Sequence, residues 1–290
     1  MLCELGPEAL DALKGAIVVL PAVAYANVGE LAIDVLVATL RPKSLGAVES
    51  VNVLPVVGND AYDVDPSPQQ PQQPGRLATA LELFSVPGRP LVFLQQRAPA
   101  ALGRQSAFAA ELVGWLVEAG AAALVVLSGL DAGLRRDMQL DSSPLRYLAS
   151  SEELRAACAA AAAGPQATGP PAMELEGEIR EEELALHHSL PPWPLVSECG
   201  KRNLPHVLMG CFSAEGDNAG EGLRLAAAAM QLLATMRPGP GAGAGAGAAM
   251  AGAKGEAVLE MAGVGAAALA LRAPPSWAGL YGRAFPAEIF

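Results

Sequence analysis

Aromatic residues are scarce in this chain: three Trp, four Tyr and six Phe make up 4% of 290 residues. A core with so few rings rests on Val, Leu, Ile and Ala, the composition of strands and helices packed in layers, which favours an α/β fold over an all-β one. Cysteine is equally sparse. Cys3, Cys158, Cys199 and Cys211 follow no pattern, which excludes a disulfide framework and reads as free thiols in a reducing compartment. Basic residues are outnumbered, with 19 Lys and Arg against 30 Asp and Glu for a net charge of -11, and no basic run exists. That balance argues against nucleic acid or anionic lipid as the main partner, and suits contact with a basic protein surface. No apolar run reaches the roughly 20 residues of a membrane span. Residues 16 to 26 mimic a secretory signal, but Glu4, Glu8 and Asp11 precede them against a lone Lys14, the wrong charge for that role. The expectation is a soluble, intracellular protein.

Catalytic signatures are missing as well. Gly200-Lys201 is followed by Arg202 where a phosphate loop needs Ser or Thr, and Leu195 stands where its first glycine belongs. The Gly/Ala tract lacks the spacing and preceding strand of a dinucleotide fingerprint. Cys199, His206 and Cys211, with His187 and His188 upstream, lack the close ligand pairing of a zinc site, and buried thiols in an apolar strand are ordinary. Ser128 follows a buried run but has no Gly-x-Ser-x-Gly elbow, so it reads as a loop serine capping a turn. Glu215-Gly216-Asp217-Asn218 offers two carboxylates, which capping of the next helix explains more simply than a cation does. No catalytic residue, cofactor or metal is expected.

What the chain does have is alternation. Residues 16 to 20 read as a strand buried on both faces, ended by Pro21, and Asn27 as the N-cap of a helix from Val28 to Leu40 with Glu30 and Asp34 on its exposed side. Residues 46 to 57 read as a strand broken at Pro55, with a turn at Gly58-Asn59-Asp60. Two strands, 80 to 86 and 90 to 96, flank Pro87-Gly88; a helix spans Arg104 to Ala119, and Ala122 to Leu127 is a buried strand. A strand at 205 to 212 leads into a helix capped by Asp217 or Asn218 and running to Met236. The pattern predicts an α/β fold, with a largely parallel sheet between helices, as one domain over 1–290. Low-complexity inserts interrupt it at 63–75, 163–173 and 239–252, the first read as a disordered loop and the last as a flexible linker.

Two segments read as contact candidates. Residues 135 to 148 are too long for a plain turn and carry Arg146 and Tyr147, so the segment is either an interaction loop or a covered structural one, its Arg/Tyr content leaning toward interaction. The closing segment 274–290 is apolar and aromatic. It either folds back onto the core, an open reading for Trp277 and Tyr281, or is presented to a partner's pocket, the reading favoured for Glu288, Ile289 and Phe290 after Pro286.

Several blocks together resemble one family. Leu20 to Val23 with Asn27 to Asp34, Val56 to Tyr62, Asp137 to Leu140 with Ser143 to Leu148, Glu215 to Asn218, and Pro274 to Phe290 are similar, in order, to the PAC2 family of proteasome assembly chaperones. The resemblance implies a three-layer α/β fold with a nucleoside-phosphorylase-like outline and no catalytic site. It implies pairing with proteasome assembly chaperone 1 as a heterodimer on the α-ring of the 20S proteasome, where the pair promotes ring formation and prevents α-ring dimerisation, in cytoplasm and nucleus. It also implies a C-terminal hydrophobic-tyrosine-any tail inserted between α-type subunits. Here Ile289 stands in place of the tyrosine and the aromatic is Phe290, so the tail either docks differently or leaves insertion to the partner's tail. The reading of a different class is a phosphorylase-like or hydrolase-like enzyme, which requires a basic anion pocket near Ser128 or at Asn27-Val28-Gly29.

Overall fold

The computed structural model describes residues 7–62, 76–163, 171–237 and 271–277. Helix α1 (Pro7–Leu13) precedes β1 (Ile17–Pro21), whose exit is a 3₁₀ turn at Tyr25–Asn27 leading into α2 (Val28–Leu40). Five strands follow: β2 (Lys43–Ala47), β3 (Val57–Asn59), β4 (Leu77–Thr79), β5 (Leu81–Ser85) and β6 (Leu91–Gln96). Next come α3 (Gln105–Glu118), β7 (Ala123–Asp131), the single turn α4 (Asp137–Leu140), β8 (Leu145–Ala149) and α5 (Glu152–Ala163). The described body closes with β9 (Met173–Glu174), α6 (Gly177–His187), α7 (Trp193–Lys201), β10 (His206–Ser213) and α8 (Ala219–Leu233).

Eight strands form one sheet in the order β2-β5-β6-β1-β7-β10-β8-β9. Its centre, β6-β1-β7-β10, is parallel, in register Ile17 to Leu91, Ile17 to Ala123 and His206 to Leu124; β5 and β2 on one side and β8 on the other run antiparallel to their inner neighbours. Period-two alternation sorts the central side chains into two cores. Ile17, Val19, Val125, Leu127, Val207 and Met209 pack against α2, α5 and α8, while Val18, Leu20, Leu124, Val126, Leu208 and Phe212 pack against α1, α3 and α7. This is the three-layer α/β arrangement expected from the alternation, with a separate ribbon of β3 and β4 beside it.

Several expectations need correction. Asn27 holds the N-cap position but makes no side-chain capping bond; its φ is 52°, following Ala26 at 56°, because the turn is forced close against β7. The strand expected over 46 to 57 stops at Ala47 after a bulge between Ser44 and Gly46, and Gly58-Asn59 lies in β3, paired with β4, instead of turning. β7 runs on to Asp131, so Ser128 is a strand residue bonded through its hydroxyl to the Gly129 carbonyl and not a loop cap. Residues 135 to 148 contain α4 and most of β8, so they form no single loop. Asn218 precedes α8 without capping it, its amide turned back to the Ala214 and Gly216 carbonyls, while the Asp217 carboxylate accepts from the Ala219 N–H. The inserts 63–75 and 239–252 lie outside the described residues, as do 164–170 of the third, whose flanks are the end of α5 and β9.

Candidate functional site

Ligands of open α/β sheets bind beyond the carboxyl ends of the parallel strands, at the switch point beside the first strand. Here that place is filled by the loop after β1. A Cβ on Gly29 would lie 2.3 Å from the Leu127 carbonyl oxygen and one on Gly129 would lie 2.1 Å from that of Tyr25, so two glycines let backbone rest directly on backbone. The Tyr25 hydroxyl meets His187 Nε2 at 2.7 Å, tying α6 to this loop, and Asp131 lies 3.8 Å from the same ring nitrogen. Glu183, 1% exposed, accepts from the Asp131 N–H at 3.0 Å and from Trp193 Nε1 at 3.3 Å. Burial, then the charges of Asp131 and Glu183, push the Tyr25 hydroxyl above its usual range.

The groups converging here are carboxylates. A phosphate would face Asp131 and Glu183, with Glu215 near enough to act on the same Tyr25 hydroxyl. The basic anion pocket that the enzyme reading requires near Ser128 and Asn27 is therefore replaced by charge of the opposite sign, and Ser128 is fully buried.

A second polar cluster lies between α2 and the exit of β6. Asp34 Oδ1 accepts from the Tyr62 hydroxyl at 2.6 Å, Gln95 Nε2 at 2.6 Å and Arg97 Nη2 at 3.0 Å. Arg97 lies over the Tyr62 ring and reaches Glu82 at 3.8 Å, and Glu82 also pairs with Arg76. Both roots of the 63–75 insert are thus fixed: Asp60 and Tyr62 on one side, Arg76 on the other. Glu30 and Asp34, expected on an exposed face, point into this cluster instead, because the segment 60–62 and Arg97 cover that face of α2.

Glu30 is partly exposed as a residue, but its Oε2 is buried with no hydrogen-bond partner. Burial, partly offset by a backbone hydrogen bond and reinforced by the Asp34 charge, pushes its carboxyl up to about 8. The unfolded chain would release that proton near about 4.3. Between these values the native state binds the extra proton, so stability falls as pH rises through the window and stays reduced above it. Glu30→Gln is expected to stabilise the protein by on the order of 2 kcal/mol at pH 8.5 and by almost nothing near pH 4.5. Thermal unfolding at the two pH values checks this; an equal gain at both would show a carboxyl that does not titrate in the window.

Of the sequence candidates, Arg146 is 1% exposed and bonds Glu176 through Nε at 2.8 Å and Nη2 at 2.9 Å while lying over the Phe212 ring. Tyr147 is buried against the α5 and α8 side of the sheet. Both side chains are spent inside the body, holding β8 and the entry to α6. Trp277 packs on the core of the α2 and α8 side, whereas Tyr281, Glu288, Ile289 and Phe290 lie outside the described residues. Cys199 and Cys211 belong to opposite faces of the sheet, and His206 Nδ1 faces the Leu204 carbonyl, so these three do not converge.

Sequence reading missed the exposed apolar surface. Val51, Leu54, Val56, Val57, Leu77 and Leu102 stand in solvent, Val51 at 79% and Leu102 at 96%. Val51 and Val56 belong to a groove of about 570 Å³ that is also lined by Val48, Val53, Pro55 and Leu81, with Glu49 and Glu111 among its walls. The only signal was the run of valines between Val48 and Val57, which reads equally well as a strand. On this three-layer α/β frame, then, the carboxylates hold elements together, and part of the apolar surface stands exposed.

Comparison with known proteins narrows that description. The chain belongs to the PAC2 family, whose model matches residues 18–208. Proteasome assembly chaperone 2 of Nematostella vectensis is 29% identical over 216 residues, covering 73% of this chain and 86% of that protein. The Danio rerio protein of the same name is 27% identical, covering 75% and 82%. Among solved structures, the Pyrococcus furiosus archaeal proteasome activator PbaB superposes with a TM-score of 0.56 at 12% identity, covering 80% of this chain and 86% of its own. PbaA of the same organism, an archaeal homolog of proteasome-assembly chaperone, gives 0.52 at 14%, covering 76% and 78%. At these identities the structures establish the shared fold.

Proposed function

We propose that this protein is a chaperone of 20S proteasome assembly with no enzymatic activity. It pairs with proteasome assembly chaperone 1, and the heterodimer binds α-type subunits, promotes α-ring formation and keeps two α-rings from associating, in cytoplasm and nucleus. The observation that carries this reading is family membership across residues 18–208, with full-body relatives named for a role in assembly and not for a reaction. The exposed Val51, Leu54 and Leu102 suit a chain that covers this surface with a partner. The aromatic segment 274–290 supplies a second contact.

Affinity capture of the tagged protein from its own cells tests the reading, using the full chain and one lacking Glu288 to Phe290. The full chain is expected to recover a second chaperone and α-type subunits without mature β subunits. The truncated chain is expected to keep the chaperone and lose the α-type subunits. Recovery of neither from the full chain would overturn the assembly role.

A further inference from the structure

After α8 the described residues end at Arg237 and resume at Leu271, and the contacts made by the resumed segment are specific. The Arg272 N–H donates to Thr39 Oγ1 at 2.9 Å, on the last turn of α2. Leu271 and Trp277 pack on the core cluster formed by α2, α5 and α8, and Pro274 is buried. The Trp277 N–H closes a 3₁₀ turn on the Pro274 carbonyl at 3.0 Å. Two adjacent prolines stiffen the approach, and a single aromatic fastens it.

α2 starts beyond the carboxyl end of β1 and runs back along the sheet, so Thr39 lies toward the opposite edge from the loop bearing Leu102, which follows β6. The reattachment point and the exposed apolar loops therefore belong to opposite ends of the parallel strands, separated by the roughly 20 Å length of α2.

We propose that residues 271–277 are an anchor that fixes where the aromatic segment 278–290 leaves the body, at the C-terminal end of α2, so that the Gly/Ala-rich stretch before it does not set that segment's reach. The inference rests on the assembly reading above, in which that segment contacts α-type subunits. From Trp277, residues 278–290 extend at most about 45 Å; measured from Arg237 the limit would be about 180 Å. Effective concentration falls as roughly the -3/2 power of chain length, so freeing the anchor dilutes the segment about eightfold at a fixed pocket. Departure from this end also leaves the Val51 and Leu102 surface open, and both contacts can be made at once.

The test uses the full chain paired with its chaperone partner. Trp277→Ala is expected to weaken capture of α-type subunits about eightfold while pairing with the second chaperone is unchanged. Deleting 239–252 is expected to leave both unchanged. A Thr39→Cys/Arg272→Cys chain, with Cys3→Ser, is then oxidised with glutathione disulfide. Cys158, Cys199 and Cys211 are buried, and burial pushes their thiols up to about 12, 12 and 11, so they stay out of the exchange. The locked chain is expected to form its internal disulfide, seen as a mobility shift on a non-reducing gel, and to retain capture. Failure of the disulfide to form, loss of capture on locking, or equal losses from Trp277→Ala and the deletion would each overturn the anchor. If the unmodified chain captures no α-type subunits, the assembly reading fails instead, and disulfide formation still reports whether the segment docks.

Discussion

Asp34→Ala is expected to cost about 3–5 kcal/mol of stability, the loss seen when one partner of a buried ion pair is removed. The carboxylate is the hub of its cluster, taking hydrogen bonds from Tyr62, Gln95 and Arg97. Without it the Arg97 guanidinium, whose Nε already lacks a hydrogen-bond partner, keeps the neutral Tyr62 hydroxyl at 3.0 Å but has Glu82, at 3.8 Å, as its nearest carboxylate. The Tyr62 hydroxyl loses its acceptor as well, and with it the tie that holds segment 60–62 over α2. Asp34→Asn keeps the shape and one acceptor but removes the charge, so it is expected to recover less than half of the loss.

Urea unfolding of the three proteins measures this. A double-mutant cycle with Arg97→Met should give a coupling of about 1–3 kcal/mol. The exposed Lys201–Glu198 pair, its lysine 68% exposed, is the comparator and should cost under about 0.5 kcal/mol when broken. A cost below about 1 kcal/mol for Asp34→Ala would show that water reaches the cluster. Proteolysis supplies a second signature: freeing Tyr62 should speed cleavage between Asp60 and Arg76, at the roots of the insert.

Asp34 also marks where sequence reading stops. Its place on α2, four residues from Glu30, was legible, and so was the helix itself, because apolar periodicity is local. That the stripe faces Tyr62 and Arg97 instead of water was not legible, since those partners lie 28 and 63 positions away. The same division runs through the fold. β1, β7 and β10 announce themselves as apolar runs because both of their faces are covered. β8 does not, because Arg146 stands in it, neutralised by Glu176 from a distant segment. The loop after β1 could be placed but not its strain, since left-handed Ala26 and Asn27 are dictated by contact with β7 and not by their own preferences. Among the site candidates, the closing segment was singled out by its own apolar and aromatic residues, of which those after Trp277 lie outside the described residues, while the apolar groove had no motif to reveal it.

Gly129→Ala is expected to destabilise the protein by at least about 3 kcal/mol, at the upper end of overpacking costs. The added Cβ would lie 2.1 Å from the Tyr25 carbonyl oxygen and 2.9 Å from its carbon, and neither side can yield cheaply. Gly129 is held in the β7–β10 ladder opposite Cys211, and the loop carrying Tyr25 already contains two left-handed non-glycine residues and is tied to β7 by the Ala22 N–H to Leu127 carbonyl bond at 2.7 Å. Moving that loop would also break the Tyr25–His187 contact and release the end of α6. Two other glycines turn this into a graded series. At Gly210 the obstacle is the Leu130 side chain, at 2.6 Å, which can rotate, so alanine should cost less. At Gly200, inside α7, nothing lies within 4 Å, and alanine should stabilise by up to about 1 kcal/mol through helix propensity. Thermal unfolding of the three variants is expected to rank Gly129→Ala as most harmful, Gly210→Ala next and Gly200→Ala least. Should the Gly129→Ala chain fail to accumulate, Tyr25→Phe tests the neighbouring tie: it removes the hydroxyl's bonds to His187 and Asp131 and should raise hydrogen exchange in the last turn of α6 while leaving β7 protected. Equal costs for Gly129→Ala and Gly200→Ala would mean that the loop does not press on β7 in solution, and the strain at Ala26 and Asn27 would have no support; unchanged exchange in α6 would mean that the Tyr25 hydroxyl does not hold the end of that helix.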